Sequence, residues 1–293
     1  MILISRYQTY FSNFLQAENH ARLITFFCKP LYAFLFAKII FLWPVLHDSV
    51  RYLPYEFTSP LRHVIYAPIK LAQFDLNAFL ISTLILLLVA MVIRINYFTS
   101  ALIFWLSFNL SRLAFPVANG SDYVLNLFLF LSVFLPVAPS FKSASLRNAQ
   151  HIISNFAFLL CRTQLALIYV LSGFDKMTSN AWRTGDAVYS IINLDYFINP
   201  RLSISFNETV YTMLAWAIIL FELSFPFLIW FKQFRVYVLV AGITFHIGII
   251  FFLSLPDFGT VMIITYCLFI PEQWIIRHKG SCQVDPDSYR DET

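Results

Sequence analysis

A chain of 293 residues that is 59% hydrophobic and 12% charged, with mean hydropathy +0.70, is too apolar for a water-soluble domain, where roughly 25% of residues are charged. Its net charge of +4 is spread among loops without a basic block, which argues against nucleic acid as a partner. The composition fits an all-α polytopic bundle in a lipid bilayer, with abundant Phe and Tyr for lipid-facing surface and interfacial belts.

The N-terminal segment lacks the charged head, short apolar core and small-residue cleavage site of a secretory signal. A helical span needs about 20 apolar residues. Apolar runs predict spans near 24–46, 78–95, 97–115, 123–139, 154–175, 209–231, 236–254 and 257–275. The last is short enough to be re-entrant, so about eight spans, seven to nine, are expected. Residues 1–293 read as one membrane domain, with 281–293 a short polar tail. Lys and Arg in the short flanks number ten on one side and seven on the other. By the positive-inside rule this places both termini in the cytoplasm of a plasma (inner) membrane and the 176–208 loop outside. Cys28, Cys161, Cys267 and Cys282 form no C-x-x-C pair; they read as apolar filler, and no metal is expected.

The polar residues inside the spans carry the functional signal. Arg162, Tyr169 and Lys176 are seven apart, about two helical turns, so they share one face of the fifth span. Glu222 lies roughly 20 Å below the outer end of the sixth. At that depth it is expected to form a buried ion pair with Arg162, because an unpaired charge in lipid is costly. His246, near the middle of the seventh span, is a helix-packing imidazole, a proton carrier or a ligand-binding group. Lys176 is either an interfacial anchor or a base made neutral by loss of water. Trp182 reads as an interfacial belt residue. The loop 115–123 contains an Asn-Gly turn signal; alternatively Arg112 and Asp122 frame an outer pocket with Lys176.

Taken together, Arg162-x-Gln164, Tyr169, Gly173-x-x-Lys176-Met177 and Trp182-x-x-Gly185 resemble the core motif of the HTTM domain. This is the membrane domain of vitamin K-dependent gamma-glutamyl carboxylase and many bacterial relatives. Phe221-Glu222-Leu223 and Phe245-His246 are similar to that family's pattern, and the resemblance runs over most of the chain. It implies a helical membrane domain, a vitamin K-type hydroquinone (menaquinol) as cofactor, and Lys176 as the base that deprotonates it. In the carboxylases, reaction with oxygen then yields a strong base that takes the gamma-proton of a glutamate, and carbon dioxide adds. On this resemblance Lys176 and His246 are candidate catalytic residues, and Arg112, Asp122, Tyr169, Gly173, Trp182 and Gly185 candidate pocket residues. Two departures separate the chain from the carboxylases. Its polar tail is short where they carry a large lumenal domain, and the turn Asn119-Gly120-Ser121-Asp122 lacks their functional His. The quinol-and-lysine half of the chemistry is untouched by either. In length and layout the chain also resembles the sporulation-delaying-protein B group, bacterial membrane proteins that assist production of a secreted antimicrobial peptide.

Three functions stay open on these residues. The first is a membrane enzyme, carboxylase-like in its chemistry, that acts through Lys176 with a quinol and modifies a secreted peptide at the outer face. The second is a non-catalytic accessory protein for maturation or export of such a peptide. The third is a proton-coupled transporter, which the absence of an inverted repeat disfavours.

Overall fold

The computed structural model of the chain describes residues 20–52, 59–138, 142–194, 205–271 and 274. The tail 281–293, Cys282 and several of the flanking charges that set the expected orientation (Arg6, Arg201, Arg277 and Lys279) lie outside the described residues.

Every apolar run of the sequence becomes a helix: α1 (Ala21–Tyr52), α4 (Leu76–Val92), α5 (Tyr97–Leu113), α6 (Gly120–Ser132), α7 (Ala144–Thr178), α10 (Glu208–Leu228), α11 (Lys232–Phe252) and α12 (Pro256–Thr265). The 3-10 turn Tyr266–Phe269 extends α12. Among the described residues there are twelve α-helices and no strand, an all-α membrane bundle. α1, α7, α10 and α11 are each long and apolar enough to cross a bilayer; α4 and the stretch Pro256–Phe269 are shorter apolar helices. The predicted loops contain structure as well. α2 (Pro60–Ile65) and α3 (Ala67–Phe74) precede α4, and α8 (Asn180–Thr184) and α9 (Asp186–Asn193) follow α7.

Side chains at the helix starts explain why the elements begin where they do. Asp75, Asn96 and Asn207 each accept a hydrogen bond from the free backbone N–H three residues on, which opens α4, α5 and α10. Asn119 and Asp122 form a reciprocal capping box that opens α6. Pro256 occupies the first position of α12, where its missing N–H costs nothing.

The bundle has two flanks. In one, α1 packs against α4, α5 and α6; in the other, α7 packs most extensively against α10, which also touches α11. α12 lies between them, in contact with α11, α6 and α1, so it carries polar groups that face both flanks. Phe27, Phe128, Phe158, Phe225 and Tyr266 are fully buried in one continuous apolar core. Cys28, Cys161 and Cys267 are free thiols, the first two buried in that core.

Candidate functional site

The seven-residue stripe on α7 faces the bundle interior at all three positions. Arg162 donates from Nε to the Leu268 carbonyl at 2.7 Å, and its guanidinium lies over the rings of Phe158 and Phe269. One heptad on, the Tyr169 hydroxyl meets the Tyr266 hydroxyl at 2.5 Å and His246 Nε2 at 2.7 Å. One heptad further, Lys176 Nζ donates to both oxygens of Glu222, at 2.9 and 3.0 Å, and to the Ser172 hydroxyl.

The pair that forms is therefore Lys176–Glu222, not the expected Arg162–Glu222. The reason is where α7 stops. Sequence reasoning took Lys176 as the outer end of its span and measured the depth of Glu222 from residue 209. The chain does not leave the bundle at Lys176. It breaks at Ser179, turns through α8 and α9, and continues alongside α10: Trp216 Nε1 donates to the Arg183 carbonyl at 3.2 Å, and Thr212 Oγ1 to the Thr184 carbonyl at 2.6 Å. Lys176 thus sits level with Glu222 along α10, well inside the bundle, instead of at its mouth. It is a paired amine with only 17% of its side chain exposed; Glu222 shows 7%. Nζ lies over the Trp182 ring, 5.0 Å from its centroid, in cation–π range. That contact is what α8 supplies.

Two glycines make this geometry possible. Gly173, one turn before Lys176, lets α7 approach α10 closely; a Cβ there would lie 3.0 Å from the Leu223 side chain. Gly185 joins α8 to α9 at φ 92°, a left-handed conformation, with a Cβ position 2.6 Å from the Thr212 backbone nitrogen. Only glycine satisfies both demands there.

Beside the ion pair lies a cavity of about 490 Å³. Its walls are almost wholly apolar, with Ile168, Ile218, Phe245, Phe252, Phe258 and Met262 among them. Into this surface come a few polar groups: Lys176, Glu222 and Ser172 together, and His246 with Tyr169. The volume is that of a small-molecule site, and mostly apolar walls with few convergent polar groups are the usual form of one.

Arg112 and Asp122 do not belong to it. Arg112 is exposed, 6.0 Å from the centre of the Tyr66 ring, and neither residue lines the cavity beside Lys176. Asp122 is buried in a second polar cluster, where Lys38 reaches it at 2.9 Å and reaches Asp257, at the start of α12, at 3.3 Å. Asn119 and Ser121 each donate to Asp257 at 2.7 Å. The cap that shapes the start of α6 therefore also draws Asp122 toward α1, away from α7.

Sequence reasoning missed Lys38, Asp257, Ser172 and Tyr266. Lys38 carried a readable signal, since a lysine in the middle of a predicted span needs a partner. Ser172 did too, being one turn from Lys176 on the same helix face. Tyr266 gave none: it is one of 15 tyrosines.

Fold and site together define a class: a polytopic all-α membrane protein with a small-molecule cavity between its helices. The family model of the HTTM domain matches residues 29–274, and the chain belongs to the HTTM family. No curated protein and no solved structure matches it significantly.

Proposed function

We propose that the protein is a membrane enzyme that binds an apolar, ring-bearing lipid of the quinol class and takes a proton from it with Lys176 and Glu222. The observation that carries this reading is the placement of a bidentate lysine–carboxylate pair in the wall of a cavity otherwise built from apolar side chains.

The pair offers a route to a neutral amine without exposure to water. Passing one proton from Nζ to a Glu222 oxygen, over 2.9 to 3.0 Å, leaves Lys176 neutral and Glu222 neutral. The neutral amine would then be the base for a hydroxyl proton of a quinol held beside Nζ, and that acidic hydroxyl is the chemistry such a ligand would supply. The proton taken from the quinol stays on the pair, Trp182 faces the new ammonium, and Ser172 holds the amine in place. A peptide reaching the site from the extracytoplasmic side is the onward substrate this reading carries over from the carboxylase resemblance, with both termini cytoplasmic in the inner membrane.

The test is menaquinol-dependent oxygen uptake by the protein in lipid nanodiscs. The double variant Lys176→Met, Glu222→Leu should unfold near the wild-type temperature, because a buried ion pair replaced as a whole is often neutral to stability. It should lose oxygen uptake. Wild-type uptake in that variant ends the enzymatic reading. A second reading rests on the same contact: the pair also locks α7 to α10, which is what a non-catalytic accessory protein for peptide maturation would need. Unchanged production of mature peptide in cells carrying the apolar double variant decides for it.

A further inference from the structure

This inference rests on the reading that the cavity holds a ring-bearing ligand, and it concerns the side of the cavity formed by α11. His246 is 1% exposed and lines the cavity. Its Nε2 is committed to the Tyr169 hydroxyl, and that hydroxyl to Tyr266. Its Nδ1 has no hydrogen-bond partner among the described residues. A buried polar atom left without a partner is costly, and most are satisfied. The packing nevertheless keeps this imidazole in place. Gly242 lies one turn earlier on the same face of α11, and a Cβ there would overlap the Tyr266 hydroxyl. The glycine thus makes room for the hydroxyl that ends the hydrogen-bond chain.

Proton counting gives the chain a direction. Two hydroxyls and a neutral imidazole hold three protons. If Nδ1 carries the ring proton, Tyr266 donates to Tyr169 and Tyr169 donates to Nε2. Each hydroxyl proton then has an acceptor, and Nδ1–H is left to donate. If Nε2 carries it, the chain reverses and the Tyr266 proton has no acceptor within it. The first arrangement satisfies more groups.

We propose that His246 Nδ1–H is a ligand-side donor, so that this part of the cavity is a subsite for an acceptor oxygen on the ligand ring, a ketone carbonyl or an oxyanion. Tyr169 and Tyr266 are positioning residues that hold the imidazole in the donating tautomer. The Lys176–Glu222 pair and His246 then mark two separate polar anchor points for a ring that bears more than one oxygen.

The test uses menadione, a ring diketone, and 2-methylnaphthalene, a ring of the same shape without oxygens, with detergent-solubilised full-length protein. Asparagine at 246 places its amide nitrogen near the position of Nδ1 and abandons Tyr169; glutamine reaches Tyr169 and abandons Nδ1. His246→Gln should weaken menadione about tenfold and abolish the lowered infrared carbonyl stretch of the bound quinone. His246→Asn should keep that lowered stretch, and 2-methylnaphthalene should bind wild type and both variants alike. Equal menadione affinity and carbonyl frequency in wild type and His246→Gln overturn the subsite. If neither probe binds wild type, the ring-binding reading falls, and this inference with it.

Discussion

Gly173 and Glu222 meet at a close approach of α7 to α10, and a Cβ on the glycine would lie 3.1 Å from the glutamate Cβ. This close approach lets a lysine one turn on reach both carboxylate oxygens. Alanine at 173 needs both the Leu223 side chain and the Glu222 Cβ to give by a few tenths of an ångström. Leucine cannot fit without parting the helices, and Gly173→Leu should cost about 1–3 kcal/mol, the usual range for overpacking. Thermal unfolding in detergent checks this; a leucine variant as stable as the alanine one would show that the seam is not close-packed.

At Gly185 the demand is on the backbone. Its φ of 92° lies where a Cβ is strained, and the Thr212 backbone closes off the space a side chain would need. Any substitution should destabilise, but in a defined order. Asn, which tolerates left-handed backbone, should be milder than Val, whose branched Cβ does not. Ranking the unfolding temperatures of the two variants tests the assignment, and a valine variant as stable as the asparagine one contradicts it.

Hydrophobic runs of membrane length located the main helices, and the heptad spacing of Arg162, Tyr169 and Lys176 put all three on one face of α7, which the structure turns inward. Such spacing fixes a direction around one helix. It says nothing about how two helices are offset along their lengths. That offset depends on the short helices α8 and α9; α9 has an apolar face at Val188, Ile191 and Ile192, but both are far shorter than a span and do not fix how α7 and α10 are staggered, so Glu222 was expected beside Arg162. Asp122 shows a similar limit. Its capping role follows from local sequence, whereas its pairing with Lys38 depends on how α1 and α6 cross.

Lys38 is the sole cation that Asp122 and Asp257 share among the described residues. Lys38→Met leaves a buried carboxylate uncompensated, and should cost roughly 3 kcal/mol, as breaking a buried pair from one side does. Adding Asp122→Asn to that variant removes the more buried of the two stranded charges, leaving Asp257, and should recover part of the loss. Thermal unfolding of the single and double variants checks both signs. No recovery in the double variant would show that Lys38 acts through packing alone.

The corrected pairing makes a distinct claim about coupling. Arg162 and Lys176 are separated along α7 by roughly 21 Å of helix rise, and Arg162 binds the Leu268 carbonyl and two rings rather than Glu222. Arg162→Gln should therefore destabilise, since it removes those contacts, yet its effect should add to that of Glu222→Gln within about 0.5 kcal/mol, as for sites without shared partners. Lys176→Met and Glu222→Gln should not add, because either one already breaks the same pair; their coupling should be at least about 1 kcal/mol. Double-mutant cycles on unfolding free energy measure both quantities in one set of proteins. Strong coupling of Glu222 to Arg162, with additivity toward Lys176, would return the carboxylate to the arginine and remove the acid–base pair from the cavity wall.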